Sequence, residues 1–206
     1  MTAKTPSLLV GLSGRKRAGK DTFADVLVTD HGYARASFAD AVRDAALRLD
    51  PVIYVDPVNS EPIRLSEVVE DIGWERAKDE HAEVRRTLQR LGTDVVRSIN
   101  PDTWVDAAFA ALDTEEAVVF TDVRFPNEAD AIKERGGIIV RIERRGIDDG
   151  DSHASETAMD DYSVDCVIHD NLDEPRTVEQ LRDTAHAFAA QAPLAALMIA
   201  LEKVVD

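Results

Sequence analysis

The feature of this chain that most constrains its fold is an apolar segment that runs directly into a glycine-rich turn. Residues Leu8–Leu12 are apolar, and the spacing glycine, four residues, glycine, lysine then spans Gly14 to Lys20. A strand, such a turn and a helix in succession are typical of a cradle for nucleotide phosphates. Glycines let successive N–H groups point at phosphate oxygens, and the positive end of the following helix acts at the same place. We therefore predict that a nucleoside triphosphate binds at Gly14, Arg17, Ala18, Gly19, Lys20, Asp21 and Thr22.

The residue after the lysine departs from the commonest form of this turn. A Ser or Thr usually follows the lysine and places its hydroxyl on Mg²⁺, whereas here Asp21 follows and Thr22 comes next. Glycine-rich turns also join strands to helices where no ligand binds, but the strict spacing and the lysine favour a phosphate site. We predict that Lys20 reaches the β and γ phosphates and that Asp21 or Thr22 serves the metal.

Composition limits the function and the surroundings of the chain. Its 206 residues contain 24 Lys and Arg against 40 Asp and Glu, a formal net charge of −16, and such a charge disfavours polymeric DNA or RNA as a partner. The lone Cys166 permits no disulfide within the chain. We find no segment long and apolar enough to span a membrane and no signal peptide. We therefore expect a single domain over residues 1–206, located in the cytoplasm and without a membrane partner.

Apolar segments of the strand type alternate with segments of helical periodicity along most of the chain. The continuous apolar run Ala117–Thr121 is typical of a strand buried on both faces of a parallel sheet. Strands that alternate with helices behind an amino-terminal phosphate turn predict an α/β fold of the P-loop NTPase type, a doubly wound parallel sheet flanked by helices. The predicted strands cover residues 8–12, 33–38, 117–121, 138–142 and 164–169.

Between these strands the sequence predicts helices and one long loop. Three prolines in residues 50–64 predict the loop. A short helix capped by Ser66 is predicted over residues 65–72, and a longer helical pattern over residues 83–99 is interrupted near Gly92. Further helices are predicted over residues 20–30, 40–49, 103–112, 127–135 and 177–190, with a last helix that starts at Pro193.

Two charged residues follow the apolar run 117–121 closely, and both are candidates for the site. Ligands of open α/β sheets bind outside the carboxyl ends of the strands, so the carboxylate of Asp122 can hold Mg²⁺, directly or through water, or act as a base. The alternative for Asp122 is a role in capping a helix. The guanidinium of Arg124 suits bidentate contact with phosphate, and an exposed salt bridge is its alternative.

Arginines also cluster in the helical pattern over residues 83–99. Arg86, Arg90 and Arg97 are four and then seven residues apart, which places them on one face of a regular helix. In so acidic a chain, such a face suggests a site for an anion. The alternative is a solvated face paired with acidic neighbours such as Glu83, and the spacing leaves both interpretations open.

Four segments, taken in this order, carry a resemblance to a known family. They are the turn that ends in Gly-Lys-Asp-Thr, then Leu88–Thr93, Thr121–Glu128 and Asp151–Glu156. Together they resemble the bacteriophage-type deoxynucleoside monophosphate kinases, a branch of the P-loop nucleoside monophosphate kinases, over about residues 8–175. The turn alone is shared with many families, whereas the middle segments are more specific. Gly-Lys-Asp-Thr is a familiar variant in that family, which accounts for Asp21.

The resemblance implies transfer of the γ-phosphoryl group of ATP to a deoxynucleoside monophosphate, with Mg²⁺ as the metal. It implies a helical acceptor-binding region at about residues 50–112 and a short lid at about residues 146–163. The residues it implies are Lys20, Arg90, Asp122 and Arg124 for catalysis, Asp21, Thr22 and Asp122 for the metal, and Phe38, Arg86, Arg90, Arg97, Trp104 and Arg124 for the substrate. For the large aromatic side chain of Trp104, a place in the core is the alternative.

The sequence leaves two other functions and one interface open. Another small-molecule P-loop kinase, such as one similar to dephospho-coenzyme A kinase, fits the fold and the turn, and a non-catalytic nucleotide-binding switch fits the turn. The segment 193–206 carries Leu194, Leu197, Met198 and Leu201 on one helical face, which predicts either a homodimer interface or packing against the chain's own core. If a phage encodes the protein, we expect to find it in the host cytoplasm.

Overall fold

The computed structural model describes residues 7–144, 157–169 and 177–205. Of the lid predicted at about residues 146–163, only residues 157–163 belong to these ranges, and the segment Asp151–Glu156 lies outside them. The chain divides into two compact units, Met1–Phe38 with Ala108–Asp206 and Ala39–Ala107. The second unit covers most of the region that the resemblance assigns to the acceptor and begins before it.

The strands are β1 (Leu9–Ser13), β2 (Ala34–Ala36), β3 (Val52–Val55), β4 (Pro62–Arg64), β5 (Val118–Phe120), β6 (Ile138–Glu143) and β7 (Cys166–His169). The helices are α1 (Lys20–His31), α2 (Phe38–Leu49), α3 (Leu65–Glu80), α4 (Ala82–Gln89), α5 (Arg97–Ile99), α6 (Thr103–Ala110), α7 (Pro126–Glu134) and α8 (Val178–Val205), with a π-helix (Arg90–Val96) between α4 and α5.

The first unit is built on a five-stranded sheet with the strand order β2-β5-β1-β6-β7. β1 pairs in parallel with β5 on one side and with β6 on the other, and the outer pairs β2–β5 and β6–β7 are parallel as well. The predicted α/β fold with a parallel sheet flanked by helices is confirmed. β5 and β2 lie on one side of β1, and β6 and β7 lie on the other. The carboxyl end of a strand at which the strand order changes direction in this way is the place where open α/β sheets bind ligands.

Side chains that alternate along the strands give this sheet two apolar faces. Val10 belongs to one core cluster together with Phe23 of α1 and Ala185 of α8. The neighbouring residue, Gly11, faces the other way, and a Cβ added there would lie 2.8 Å from Ile132 of α7. α1 and α8 therefore cover one face of the sheet, and α7 covers the other. The turn that joins β1 to α1 lies at the carboxyl end of β1.

The second unit contains a hairpin where the sequence predicted only a loop. β3 and β4 pair in antiparallel fashion within residues 50–64, so that prediction was wrong for these two segments. Pro62 is the first residue of β4, a position at which a strand tolerates the missing N–H group. The hairpin contributes Ile53 to a core that also contains Ala46, Leu65, Val68, Ala77 and Val84.

Helix α3 is longer than the sequence predicted and is capped differently. Gly73 adopts φ 74° and ψ 163°, and two helical segments join across this kink, so the helix runs beyond residue 72. The prediction that Ser66 caps the helix was wrong. The backbone N–H of Ser66 instead donates to the Asp50 carboxylate at 2.9 Å, so the residue that directly follows α2 caps the start of this helix.

The interruption predicted near Gly92 is the π-helix. A π-turn closes hydrogen bonds to the fifth residue along the chain and holds more residues than an α-turn. Seven residues therefore do not return to the same face across it. The prediction that Arg86, Arg90 and Arg97 share one face assumed a regular helix, and that spacing argument does not apply across this segment.

Helix α8 continues through Pro193, so the separate helix predicted to start there was wrong. Proline removes one N–H donor from the helical ladder, but the helix continues on both sides. Ala192 is 1% exposed and packs in the core, whereas Leu194, Leu197 and Met198 are between 55% and 62% exposed. Neither α8 nor any other helix in the described ranges is long and apolar enough to cross a membrane.

Candidate active site

The turn between β1 and α1 has a backbone that suits glycine at two positions. Gly14 has φ +134°, and a Cβ there would lie 2.2 Å from the backbone oxygen of Ile142. Gly19 has φ +105°, and a Cβ there would lie 2.5 Å from a methyl carbon of Leu181. Arg17, between them, also has a positive φ of 64°. The positive φ therefore requires glycine at both positions that the sequence singled out, and at Gly14 the close approach of the Ile142 backbone requires it as well.

Lys20 begins α1 and folds back over the turn. Its Nζ donates to the carbonyl oxygens of Gly14 at 2.7 Å and Arg15 at 2.8 Å. The guanidinium of Arg15 pairs with Asp160 at 2.7 Å, which ties the turn to a later part of the first unit. The ammonium group is thus held beside a helix N-terminus, where the first N–H groups of α1 and their partial positive charge attract anions.

Asp122 lies just beyond β5 and contacts the residues that follow β2. Its Oδ2 accepts a hydrogen bond from the Ser37 hydroxyl at 2.7 Å, and its Oδ1 accepts one from the backbone N–H of Phe38 at 2.9 Å. Because β2 and β5 are paired neighbours, the carboxylate lies at the carboxyl ends of two strands. Asp122 also has the capping role that the sequence offered as its alternative, because it accepts the backbone N–H of Phe38, the first residue of α2.

The oxygen atoms at this edge of the sheet suit a hard cation such as Mg²⁺. A carboxylate offers about four lone-pair sites, so the contacts of Asp122 with Ser37 and Phe38 are compatible with a metal or a metal-bound water. Asp21 is exposed and Thr22 half-buried in the first turn of α1. In the described ranges no three His, Cys, Asp or Glu residues form a metal cluster, and Mg²⁺ does not need one, because it usually combines one or two carboxylates with substrate phosphates and water.

Glu128 organises the segment that follows Asp122. It is 2% exposed, and its Oε2 accepts the backbone N–H groups of Arg124 at 2.7 Å and Phe125 at 3.0 Å. Pro126 occupies the first position of α7 and the glutamate the third, a common signature of a helix start. The backbone of Arg124 is therefore held next to β5, and its side chain is half-buried.

A cavity of about 350 Å³ opens beside the phosphate turn. Its walls come from the end of the turn, the start of α1, the ends of β6 and β7 and the start of α8. Thr22, Glu143 and Arg144 supply polar groups, and Ile142 and Ile168 supply apolar surface. Apolar walls with a few polar groups are typical of small-molecule sites, and the volume is at the lower end of their range. The remaining lining residues are Ala18, Gly19, Thr177, Val178 and Leu181.

The three arginines of the second unit have different surroundings. Arg86 is 62% exposed and pairs with Glu83 at 2.6 Å, as the alternative of a solvated face expects. Arg97 donates to the carbonyl of Pro101 at 3.1 Å. Arg90 is exposed, and within the described ranges no hydrogen bond or ion pair engages its guanidinium. Among these three, the charge of Arg90 is therefore the most available to an anion.

The two aromatic rings predicted to contact a base lie in packed interiors. Phe38 is 2% exposed and stacks on Phe120, with the ring centroids 4.6 Å apart and the planes 16° from parallel. Trp104 is 6% exposed, and its indole N–H donates to the carbonyl of Gly92 at 2.8 Å. Both are core residues, because little of either side chain's surface is open to a ligand.

Comparison with known proteins bears on what this site does. The sequence profile described as deoxynucleotide monophosphate kinase matches residues 46–183. The chain belongs to this family. A protein of Acanthamoeba polyphaga mimivirus, provisionally named a deoxynucleotide monophosphate kinase, is 31% identical over 197 residues, which cover 84% of this chain and 91% of that protein. The deoxynucleotide monophosphate kinase of Enterobacteria phage T4 is 23% identical over 219 residues, which cover 78% of this chain and 91% of its own length.

Two solved structures are also similar to this deoxynucleotide monophosphate kinase family member, at low identity. An APS kinase from Mycobacterium tuberculosis has a TM-score of 0.38 and 12% identity, and the match covers 92% of this chain and 99% of that one. A shikimate kinase from Aquifex aeolicus has a TM-score of 0.31 and 12% identity, with 90% and 83% covered.

Family membership confirms the resemblance that the four sequence segments carried. It makes the chain an enzyme, a kinase. It therefore favours the first of the three functions that the sequence left open over a kinase similar to dephospho-coenzyme A kinase and over a non-catalytic switch.

Three residues that shape this site were not predicted from the sequence. Glu128 had a local signal, because proline and glutamate at the first and third positions of a helix mark its start. Ser37 and Leu181 had none. Ser37 is 85 residues from Asp122 in sequence and meets it through strand pairing. Leu181 reaches Gly19 through the packing of α8 against α1.

Proposed function

We propose that this protein transfers the γ-phosphoryl group of ATP to a deoxynucleoside monophosphate in the presence of Mg²⁺, and releases ADP and the deoxynucleoside diphosphate. The observation that carries the proposal is the phosphate turn, in which Gly14 and Gly19 have left-handed backbones and Lys20 is held over the turn at the start of α1. Membership of the deoxynucleotide monophosphate kinase family supports the class of acceptor.

We assign the phosphate donor to the first unit. The turn from Gly14 to Gly19 and the first N–H groups of α1 would bind the β and γ phosphates, and Lys20 would neutralise part of their charge. The adjoining cavity of about 350 Å³ supports a site for the nucleoside of ATP. Gly19 at the end of the turn and Thr22 in the first turn of α1 both line the cavity, so the phosphates and the nucleoside of one ligand can be contiguous.

We assign Asp21, Thr22 and Asp122 to Mg²⁺, which when bound supplies positive charge to the phosphate oxygens. The contacts with Ser37 and Phe38 orient the carboxylate of Asp122 in advance. The reaction does not require Asp122 as a base. The second pKa of a phosphate monoester is about 6, so the attacking oxygen of the acceptor is largely deprotonated at neutral pH.

We assign the acceptor phosphate and the transferring group to Arg86, Arg90, Arg97 and Arg124. A guanidinium fork matches two phosphate oxygens at once. As the bond from the γ-phosphorus to the ADP oxygen breaks, a bond from that phosphorus to an oxygen of the acceptor phosphate forms, and negative charge spreads over three equatorial oxygens. Lys20 and the arginines stabilise this charge, and the protein needs no covalent intermediate.

Other parts of the proposal concern substrate contacts and partners. The proposed site includes neither Phe38 nor Trp104, because both rings are buried.

We propose no polymeric nucleic acid as a substrate, because the formal net charge is −16. The exposed apolar side chains of Leu194, Leu197 and Met198 support a homodimer through α8. The nucleotide substrates favour the cytoplasm as the location.

The experiment that tests the proposal is a coupled assay for ADP release with ATP and Mg²⁺. The acceptors are dAMP, dCMP, dGMP, dTMP, the four ribonucleotides and dephospho-coenzyme A, each alone. We expect release that depends on at least one deoxynucleotide, with the matching diphosphate recovered. Release with dephospho-coenzyme A alone, or ATP binding without release for any acceptor, would overturn the proposal.

A further inference from the structure

We propose that Trp104 is a positioning residue for the acceptor phosphate. It holds the carbonyl of Gly92 and so fixes the π-helix that begins at Arg90. This inference rests on the proposed function, because it assumes that Arg90 binds the acceptor.

The hydrogen bond between Trp104 and Gly92 is built into the interior of the second unit. The indole nitrogen lies 2.8 Å from the carbonyl oxygen, the indole ring is 6% exposed, and Gly92 is buried. A buried N–H group left without an acceptor is unfavourable, so the ring and the carbonyl hold each other in place. π-Helical turns are rare, occur mostly as short insertions in α-helices, and are frequent at functional sites. A side chain that bonds one of their carbonyls stabilises the wider turn.

The same turn is also fixed from a second direction. A Cβ added to Gly92 would lie 3.1 Å from a methyl carbon of Val42 in α2, which is tighter than most Cβ contacts. The glycine therefore lets α2 pack closely against the π-helix while α6, which carries Trp104, holds its carbonyl. α2 and α6, which are far from each other in sequence, thus both set the backbone path of the π-helix.

Arg90 depends on that backbone path more than its neighbours do. Arg85 pairs with Asp79 at 3.2 Å and Arg86 pairs with Glu83 at 2.6 Å, so local acidic residues orient both guanidinium groups. For Arg90 no such bond exists within the described ranges. The direction of its side chain is therefore set by the first residues of the π-helix, which the Trp104 bond stabilises.

The test compares two matched substitutions in the same unit, Trp104→Phe and Trp74→Phe. Each removes an indole and keeps an aromatic ring. Trp74 packs against the core of this unit, and within the described ranges its indole N–H donates no hydrogen bond. We expect Trp104→Phe to raise the KM for the deoxynucleoside monophosphate by about tenfold, since misplacing a binding group can cost up to about 100-fold. The KM for ATP should stay unchanged in both variants.

A second replacement separates the hydrogen bond from the volume of the ring. 3-Benzothienylalanine introduced at position 104 keeps the bicyclic shape and puts sulfur in place of N–H. We expect it to raise the acceptor KM as Trp104→Phe does, with unchanged KM for ATP. If both replacements at position 104 leave the acceptor KM at the wild-type value, or raise both KM values equally, the inference is overturned. If the wild-type protein phosphorylates no deoxynucleotide, the proposed function fails instead, so the two failures are distinguishable.

Discussion

Ser37 and Asp122 lie at the carboxyl ends of the paired strands β2 and β5 and share a hydrogen bond of 2.7 Å. The same carboxylate accepts the backbone N–H of Phe38 at 2.9 Å. One side chain can therefore serve two purposes, since it contacts the start of α2 through hydrogen bonds and offers a negative charge to a metal at the edge of the sheet. The two purposes differ in what they require, because a neutral oxygen can accept the hydrogen bonds but only a carboxylate brings the charge.

Asp122→Asn separates these purposes. The amide oxygen can still accept a hydrogen bond from Ser37 or Phe38, so we expect only a small loss of stability. Without the charge, kcat for phosphoryl transfer should fall by at least about 100-fold, which corresponds to the loss of a metal ligand. The measurement is steady-state kinetics across a range of Mg²⁺ concentrations, and the variant should need more Mg²⁺ to reach its half-maximal rate.

Ser37→Ala is the control for that variant. It removes the hydroxyl but leaves the carboxylate charged, so it should lower the free energy of unfolding by about 1 kcal/mol and change kcat much less than Asp122→Asn does. A kcat near the wild-type value in Asp122→Asn would remove Asp122 from the metal site and leave it as a capping residue.

Lys20→Met keeps the aliphatic stem of the lysine but removes its charge. Because the ammonium group is the one we assign to the β and γ phosphates, kcat/KM for ATP should fall by about 100-fold to 1,000-fold. The two hydrogen bonds to Gly14 and Arg15 are lost as well, which should lower the free energy of unfolding by about 1 to 3 kcal/mol. Kinetics and urea unfolding measure the two effects. Lys78→Met, which removes a lysine that pairs with Glu75 in the second unit, is the control and should keep normal kinetics.

Val178→Trp fills the cavity beside the phosphate turn. Val178 lines this cavity at the start of α8 and is 66% exposed, so a larger side chain can be accommodated without disturbing the core. We expect the KM for ATP to rise by about tenfold, because the nucleoside loses its space, and the KM for the acceptor to stay constant. Val167→Trp is the matched control, since Val167 is exposed beside Ile168 but does not line the cavity. Equal KM values for ATP in the two variants would argue against a nucleoside site in the cavity.

Asp50 makes the stability of the second unit depend on pH. The backbone hydrogen bond from Ser66 holds the pKa of the Asp50 carboxyl below its ordinary value of 3.8, and Arg64 acts in the same direction. A group with a lowered pKa in the folded state stabilises the fold above its unfolded pKa, and this contribution disappears as the pH falls through the folded pKa. Asp50→Asn does not titrate. The difference in urea midpoint between wild type and Asp50→Asn should therefore be constant above about pH 5 and shrink below about pH 4. A difference that stays constant down to about pH 2 would show that the charge of Asp50 adds no stability.

The sequence by itself determined the phosphate turn, the parallel sheet and the family of this protein. The spacing of Gly14, Gly19 and Lys20 reports a local backbone shape, and a continuous apolar run such as residues 117–121 reports a strand buried on both faces. Such features depend on neighbouring residues, so they can be recognised without knowledge of what packs against them.

Only the tertiary structure decided which distant residues meet. Phe38 and Trp104 looked like candidates for a base, but Phe120 and Gly92 engage them in the interior. Residues 50–64 looked like a loop because prolines break local structure, yet β3 and β4 pair within them. Strand pairing and helix packing bring together residues that are far apart in the chain, and local periodicity carries no information about those contacts. Such contacts determine the partners of Asp122, the cavity at the start of α8 and the π-helix that begins at Arg90.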